Sequence, residues 1–384
     1  MWESKVLKKG TLYFYRTIFW DSPAPSNLNW AWNFGSYLSC SLFVQILSGM
    51  LLSLYYVPGT MEDAFNSIQF IERDVNGGWI LRSVHVAGAS SFFFFMYCHV
   101  GRGLYYGSYK NFKAWSMGVA ILALSMLEGF MGYVLPAGQM SFWGATVISN
   151  FLTVIPFFGD TLLKYVLGGY SVCDLTLSRF FVAHFLAPFL ISLMVLFHLI
   201  WGHEKGASNP LGVSTTDWIT LSPGYVFKDL AGGFFMESLV LGMFSSYSWL
   251  FQDPTNSIMA NPMYTPVHIQ PEWYFLFAYS ILRCVDSKTG GVIMMLLSIL
   301  VFLLPMVWGQ LDEKKNQSMS SSLRFLPMCK AWYWMFVFSF LGLTFLGTQA
   351  PEEPFKMVSQ VLSVMYYSFF LFFPFIKKVD SEFS

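Results

Sequence analysis

Two pairs of histidines with the same internal spacing constrain this chain more than any other feature. His85 and His99 are fourteen residues apart, as are His184 and His198, and each pair lies in a long apolar stretch. Fourteen residues of α-helix rise about 21 Å and turn about 1400°, roughly 40° short of four full turns. Each helix would therefore place two imidazoles on one face, near opposite edges of a hydrocarbon layer about 30 Å thick. Two such helices side by side can hold two metal centres stacked across a membrane.

The composition supports a membrane location. Of the 384 residues, 55% are hydrophobic and only 11% are charged, whereas a soluble domain is about 25% charged. The mean hydropathy is +0.51. These values predict a polytopic membrane protein, and the net charge of zero gives no reason to expect nucleic acid. The five cysteines form no CxxC or CxxCH motif, so covalent c-type haem is not expected.

Eight apolar stretches are long enough to span a bilayer, and they predict an all-α membrane protein with eight transmembrane helices. They are 33–55, 79–104, 114–135, 180–202, 228–248, 289–309, 325–346 and 355–376. The two longest loops, 136–179 and 249–288, are rich in aromatic residues and are expected to fold as caps on one membrane face. The first nineteen residues lack the pattern of a secretory signal or a transit peptide, so we expect a protein of this kind in an organelle to be encoded there.

Basic residues give the expected orientation, because they are enriched in loops on the inner, cytoplasm- or matrix-like, face. The loops expected on one face, with both termini, carry fourteen: Lys5, Lys8, Lys9, Arg16, Arg102, Lys110, Lys113, Lys205, Lys228, Lys314, Lys315, Arg324, Lys377 and Lys378. The opposite loops carry six: Arg73, Lys164, Arg179, Arg283, Lys288 and Lys356. Both termini are therefore expected on the inner face. This orientation puts His85 and His184 near the outer face, and His99 and His198 near the inner face.

Glycines repeat the histidine spacing. Gly35 and Gly49 are fourteen apart in the first apolar stretch, as are Gly118 and Gly132 in the third. Glycine is a common packing residue in membrane helices, but two pairs at this spacing mark four places where something flat lies against the backbone. A porphyrin needs that clearance and a bare zinc ion does not. The first four spans are therefore expected to form a bundle around two non-covalent haems.

The ligands and the domain organisation follow from this arrangement. His85 with His184 would bind the outer haem iron, and His99 with His198 the inner haem iron. Arg82 lies one turn before His85 and Arg102 just after His99, where each suits a haem propionate. The chain divides into 1–210, the di-haem bundle with an amphipathic N-terminal segment, and 211–384, a C-terminal four-helix part.

Longer motifs now add a resemblance that covers nearly the full length. The chain resembles mitochondrial cytochrome b, the family of di-haem membrane subunits of ubiquinol–cytochrome c reductase (respiratory complex III). The motifs are NFGS at 33–36, RSVHVAGAS at 82–90, HVGRGLYYGSY at 99–109, GYVLPAGQMSFWGATVI at 132–148, HFLAPF at 184–189, HLIWGHE at 198–204 and HIQPEWYFLFAYSILR at 268–283. The PEWY sequence at 271–274 is the most specific of them.

The resemblance implies a protonmotive Q cycle with two b-type haems. Ubiquinol is oxidised near the outer face, one electron leaves to an iron–sulfur protein, and the other crosses through the haems to reduce quinone near the inner face. It also implies a set of partners: the Rieske iron–sulfur protein, a membrane-anchored c-type cytochrome, other complex III subunits and a second copy of the complex in a homodimer. The implied location is the mitochondrial inner membrane.

The outer quinol site is expected around the PEWY loop. Quinol oxidation releases protons, and Glu272 is the carboxylate expected to accept one. Tyr133, Tyr274 and Tyr279 are expected hydrogen-bond partners, with Pro271 in the same motif. Phe130, Phe142 and Phe275 are candidates for an apolar wall, although ordinary core packing explains any one of them equally well.

The inner quinone site is predicted from different residues. His203 follows His198 by five residues, Lys228 and Asp229 open the fifth span, and Ser36 begins the first. Quinone reduction consumes protons, and a histidine beside a carboxylate and a lysine suits that chemistry. Interfacial anchoring is the simpler alternative for Lys228.

Several residues depart from the family pattern or have no assigned role. The family usually has Trp at the positions of Ala137 and Leu167. Glu128 lies one turn before Gly132, and Glu237 lies well inside the fifth span, where a carboxyl group is costly. We expect Glu128 to be protonated or to face a hydrated pocket near the outer haem, with neutral packing as the alternative. The role of His268 is open.

Three other interpretations compete with this one. Plastid-type relatives separate the haem part and the PEWY part into two chains, and a bacterial relative would have the same chemistry. A ferric or oxygen-reducing haem oxidoreductase would need a dinucleotide-binding motif, which this sequence lacks. A transporter or assembly subunit would leave the matched histidines and glycines without a joint explanation.

Overall fold

The structure is a computed structural model that describes residues 16, 20–213, 215–247, 252–314 and 322–383. The proposed amphipathic N-terminal segment lies almost wholly outside the described residues. So do three of its lysines, Lys5, Lys8 and Lys9, and also Lys315.

The regular secondary structure of the described residues is almost entirely helical. The α-helices are α1 Phe34–Ser53, α2 Met61–Arg73, α3 Gly78–Tyr105, α4 Phe112–Val134, α5 Gln139–Ser149, α6 Gly159–Leu167, α7 Asp174–Lys205, α8 Gly224–Ser246, α9 Leu276–Arg283, α10 Lys288–Leu300, α11 Leu304–Lys314, α12 Pro327–Leu346 and α13 Phe355–Phe383. Two short strands, β1 Pro23–Pro25 and β2 Trp218–Thr220, pair antiparallel. Pro23 is opposite Thr220, so this ribbon ties the segment before α1 to the segment before α8.

Seven described helical segments are long and apolar enough to cross a membrane. They are Trp30–Ser53, Gly78–Tyr105, Phe112–Val134, Asp174–Glu204, Lys288–Gln310, Pro327–Leu346 and Phe355–Glu382. Each corresponds to one of the expected spans. The prediction of an all-α chain is therefore confirmed for the described residues, and seven of the eight expected spans are candidate membrane-spanning helices. The remaining one is α8, whose Lys228, Asp229 and Glu237 lower its mean hydropathy. Its span stays a prediction.

The first four spans pack as two helix pairs, α1 with α3 and α4 with α7, and α1 also contacts α7. The C-terminal spans α12 and α13 pack on each other and on α9. Helix α8 lies against α1 and α3, where Glu237 is only 5% exposed. One Glu237 carboxyl oxygen accepts hydrogen bonds from Ser41 of α1 at 2.8 Å and from Ser91 of α3 at 3.0 Å. These bonds offset the cost of burying the acid and join α8 to the bundle.

The two long loops contain short helices and pack on each other, and their position as caps on one membrane face stays a prediction. Residues 136–179 form α5, a 3-10 helix at Asn150–Val154 and α6. The Gln139 main chain donates to the carbonyl of Ile258 at 2.9 Å, and the Gln139 side chain accepts from the Asn261 main chain at 2.8 Å. The Asn256 side chain accepts from the main-chain N–H of Ser141 at 2.9 Å. These contacts tie the part of the second loop before the PEWY segment to the start of α5.

Candidate functional site

Each expected histidine pair is brought together across the bundle. We call His85 with His184 the His85 pair, and His99 with His198 the His99 pair. The ring centroids are 6.2 Å apart in the His85 pair and 6.1 Å apart in the His99 pair. Two imidazoles that bind one metal ion from opposite sides, with metal–nitrogen bonds of about 2.0–2.1 Å, have centroids about 6.3 Å apart. Both pairs therefore have the separation that bis-histidine ligation requires.

Each of the four rings has a hydrogen-bond partner at Nδ1. In three of them, His85, His184 and His198, that partner can accept a proton from Nδ1, which leaves Nε2 for a metal. The Nδ1 of His85 lies 2.9 Å from the Ser48 hydroxyl, and that of His198 lies 2.7 Å from the carbonyl oxygen of Ala114. The Nδ1 of His184 lies 3.1 Å from the carbonyl oxygen of Glu128. Main-chain oxygens accept only, so His184 and His198 must carry their proton on Nδ1.

The four matched glycines face the four histidines one to one. A Cβ atom would lie 3.4 Å from the His99 ring at Gly35, 3.1 Å from the His85 ring at Gly49, 3.1 Å from the His198 ring at Gly118 and 2.5 Å from the His184 ring at Gly132. The sequence predicted a close approach of something flat to the backbone at these positions. In the structure, the group nearest to each glycine is the imidazole itself.

Arg102 lies beside the His99 pair with its charge incompletely satisfied. One guanidinium nitrogen is 3.1 Å from His99 Nδ1, and the guanidinium lies 5.5 Å from the Trp32 ring centroid. The buried Nε of Arg102 and the indole nitrogen of Trp32 have no hydrogen-bond partner within the described part of the chain. A metal on His99 Nε2 would put a proton on Nδ1, which then no longer accepts from Arg102. A carboxylate is the acceptor that these donors fit.

Arg82, the other predicted propionate partner, is already paired. It forms an ion pair with Glu72 of α2, and its side chain is 15% exposed. Arg82 also lines a cavity beside the His85 pair. The structure thus places Arg82 at the His85 pair, with Glu72 as its partner.

A cavity of about 260 Å³ opens beside the His85 pair. Its wall includes both histidines, Gly49, Gly132 and Glu128, and it continues to Tyr133, Glu272 and Tyr274. Gln252, Asp253 and Asn256 reach it from the other long loop. The histidine pair and the PEWY carboxyl group therefore share one space.

The PEWY segment is held against α3. The Tyr274 ring stacks on Phe93 with centroids 4.1 Å apart, and the Trp273 indole donates to the Ser90 hydroxyl at 3.2 Å. The Tyr97 hydroxyl donates to the carbonyl oxygen of Tyr274. Glu272 precedes the 3-10 helix Trp273–Phe275. Burial, together with the nearby Asp253 carboxylate, raises the pKa of Glu272 to about 8.

Tyr279 is a predicted site residue that the structure does not bring to the described cavity wall. Its hydroxyl donates to the carbonyl oxygen of Ile269 at 2.8 Å, and its ring lies under the Arg283 guanidinium. Tyr274 and Tyr279 are five residues apart, about 140° around a helix, so they point in different directions. Pro271, Phe130, Phe142 and Phe275 are also absent from the described lining.

The predicted inner residues are only partly assembled. The Ser36 hydroxyl and the Asp229 carboxylate interact, and Lys228 acts on Asp229 electrostatically. The Lys228 ammonium lies 5.8 Å from the Tyr225 ring centroid. His203 lies in the last turn of α7. The structure therefore joins Ser36, Lys228 and Asp229 and leaves the relation of His203 to them a prediction.

Some residues at the site were missed from the sequence or left without a role. Ser48 and Asp253 were missed, since neither belongs to a motif; an acid next to a proline in the long loop was the only signal for Asp253. Ala137 and Leu167, where the family usually has Trp, are both buried, and Ala137 has a positive φ of 52°. His268 is exposed.

Comparison with known proteins agrees with this geometry. Residues 19–206 match the family described as cytochrome b/b6/petB, and residues 259–367 match the family described as cytochrome b(C-terminal)/b6/petD. A solved structure described as "Hyperthermophilic respiratory Complex III" contains a chain similar to this one, with a TM-score of 0.87, 28% identity and full coverage of both chains. The chain thus carries both the N-terminal and the C-terminal domain of the cytochrome b/b6 family.

Proposed function

We propose that this protein oxidises quinol and reduces quinone in a Q cycle, as the cytochrome b subunit of a quinol–cytochrome c reductase. The observation that carries the proposal is the pair of bis-imidazole sites, one of which opens into the same cavity as Glu272. Family membership and the similarity to a chain of a respiratory complex III agree with it.

The residues at both sites fit a b-type haem. His85 and His184 would hold one, and His99 and His198 the other, with Gly49, Gly132, Gly35 and Gly118 giving the rings room. Arg102 would bind a propionate of the second haem. The propionate would then accept a hydrogen bond from Arg102 Nε, which has no partner within the described part of the chain. When bound, haem iron alternates between the ferric and ferrous forms and so carries single electrons.

At the proposed quinol site the chain supplies a proton acceptor in an otherwise apolar space. Glu272 in its carboxylate form accepts a proton from the quinol hydroxyl, and Tyr133 and Tyr274 border the same cavity. The stacking of Tyr274 on Phe93 keeps this wall in place. Because the cavity is shared with the His85 pair, a quinol bound there lies next to the first haem.

At the proposed quinone site Asp229 supplies protons, with Ser36 and Lys228 holding its carboxyl group in position. We place His203 at the same site from its position after His198. We further propose that α8 crosses the membrane as an eighth span, that both termini lie on the inner face, and that the His85 pair lies nearer the outer face.

The proposed partners are the Rieske iron–sulfur protein, a membrane-anchored c-type cytochrome and other complex III subunits, in a homodimeric complex. The proposed location is the mitochondrial inner membrane, with ubiquinone as the substrate. Recovery of the chain with plasma-membrane markers of a bacterium would support the bacterial alternative instead.

Replacing single histidines tests the two haem sites. In membranes with the assembled complex, a reduced-minus-oxidised spectrum should show two b-type haems with distinct midpoint potentials. His85→Leu should remove one signal and His99→Leu the other, since each iron loses an axial ligand, and both variants should lose quinol:cytochrome c reductase activity. His268→Leu, at an exposed histidine, is the control for haem content. The absence of haem from the unaltered protein would end the proposal.

Removing the Asp229 charge tests the proposed quinone site. Asp229→Asn should slow reoxidation of the b haems by quinone about 100-fold, the lower end of what a proton-transfer group contributes. Quinol oxidation, measured as the first reduction of the haems, should be unchanged. Glu237→Gln, two turns along the same helix, should leave both steps unchanged. A loss in the quinol step alone would contradict the assignment.

A further inference from the structure

A second acid lines the cavity beside the His85 pair. Glu128 lies in α4, one turn before Gly132, and one of its carboxyl oxygens is 2.6 Å from Nδ1 of His184. The carbonyl oxygen of the same residue accepts a hydrogen bond from that nitrogen at 3.1 Å. The carboxyl oxygen and the carbonyl oxygen of Glu128 therefore both contact Nδ1 of His184. This is the ring nitrogen that would not bind the metal.

The Glu128 carboxyl group has no other use among the described residues. Both of its oxygens are buried, and apart from His184 they have no side-chain or main-chain partner within the described part of the chain. The nearby arginine, Arg82, is occupied by Glu72. The side chains of Glu128 and His184 are 13% and 22% exposed, so solvent screens their interaction only partly.

The other ligand of the same pair provides a comparison. Nδ1 of His85 lies 2.9 Å from the neutral Ser48 hydroxyl. The two proposed ligands of this site therefore differ in the charge of the group that contacts Nδ1. In the His99 pair, His198 meets a main-chain oxygen. Among the four proposed ligand histidines, His184 is the one whose Nδ1 lies within salt-bridge distance of a carboxyl group.

We propose that Glu128 is a positioning residue that orients His184 and lowers the reduction potential of the haem bound by the His85 pair. A carboxylate behind a ligating histidine fixes the ring and raises its basicity. A more basic ligand and a nearby negative charge both stabilise ferric over ferrous iron. The proposal rests on the proposed haem binding and goes beyond it by assigning this chain's unusual acid.

A redox titration of membranes with the assembled complex tests the proposal. Glu128→Gln keeps the side-chain shape and removes the charge. The midpoint potential of the haem at the His85 pair should rise, with a reduction equilibrium constant about tenfold larger, which is 59 mV for a one-electron couple. The haem at the His99 pair is the internal reference and should not shift. Ser48→Ala, which removes the neutral partner on the opposite ligand, should shift the first potential less.

The outcomes separate this inference from the proposed function. Two haems with unshifted potentials in Glu128→Gln would overturn the role of Glu128 and leave the di-haem proposal standing. If Glu128→Gln does not retain the first haem, the titration is made on Glu128→Asp, where the carboxylate withdraws by one methylene. The midpoint potential should then rise by less than 59 mV, which is less than a tenfold change in the reduction equilibrium constant, and an unshifted potential would overturn the role. The absence of any b-type spectrum from the unaltered protein would reject the proposed function itself.

Discussion

Gly132→Ala is expected to abolish haem binding at the His85 pair while the His99 pair keeps its haem. The new Cβ would lie 2.5 Å from Cε1 of His184 and 3.0 Å from its Nε2, the proposed metal-binding atom. Non-bonded carbon atoms are most stable at about 3.5–4.0 Å, so the ring must move away. Gly132 lies inside α4, where the helical backbone cannot turn the methyl group elsewhere. The reduced-minus-oxidised spectrum should lose about half of its b-type absorbance.

The other matched glycines form a graded series for the same measurement. Alanine at Gly49 or Gly118 would bring Cβ to 3.1 Å from a ring, so haem should be retained in part or with a shifted spectrum. Gly35→Ala, at 3.4 Å, should be close to the unaltered protein. Gly202→Ala is the matched control, since it lies four residues after His198 in the same helix and a Cβ there meets nothing within 4 Å. A full spectrum in Gly132→Ala, or an equal loss in Gly202→Ala, would contradict this account.

The sequence predicted the helical frame and the histidine pairs because both depend on position along single helices. A spacing of fourteen fixes the angle between two side chains of one helix, and long apolar stretches mark the spans. Which histidine each glycine contacts depends instead on how α1 packs against α3 and how α4 packs against α7. The spacing does not specify this packing. That these glycines give clearance to a porphyrin stays a prediction; the group nearest to each of them in the structure is an imidazole.

The positions of the residues that lie outside the described cavity wall, and of those that sequence reasoning missed, depend on packing between distant segments. Tyr279 belongs to the PEWY region by motif, but a change from 3-10 helix to α9 at Leu276 sets its direction. Asp253 reaches the cavity only because the two long loops pack on each other. The contact between Glu128 and His184 joins two helices, so the sequence could identify Glu128 as unusual without giving it a partner.

Glu272→Gln is expected to slow quinol oxidation and to remove its dependence on pH around 8. The pKa of Glu272 is raised to about 8, first by burial and then by Asp253, so at pH 7 most of it is protonated and cannot accept a proton. The rate in the unaltered protein should therefore rise with pH and level off above about 8. The glutamine has no carboxylate at any pH, and the rate should fall about 100-fold. Initial reduction of the b haems by quinol, measured from pH 6 to 10, reports this step.

Asp253→Asn separates the charge on Glu272 from the shape of the cavity. Asp253 accepts a hydrogen bond from the main chain of Thr255 at 2.8 Å, and asparagine can keep that bond with its side-chain oxygen. Loss of the Asp253 charge removes one of the two causes of the raised pKa, so the carboxylate of Glu272 forms at lower pH. The rise in rate should then move to lower pH, with an unchanged plateau above it. A profile that does not move, in a variant that still oxidises quinol, would mean that Glu272 is not the group whose ionisation limits the step.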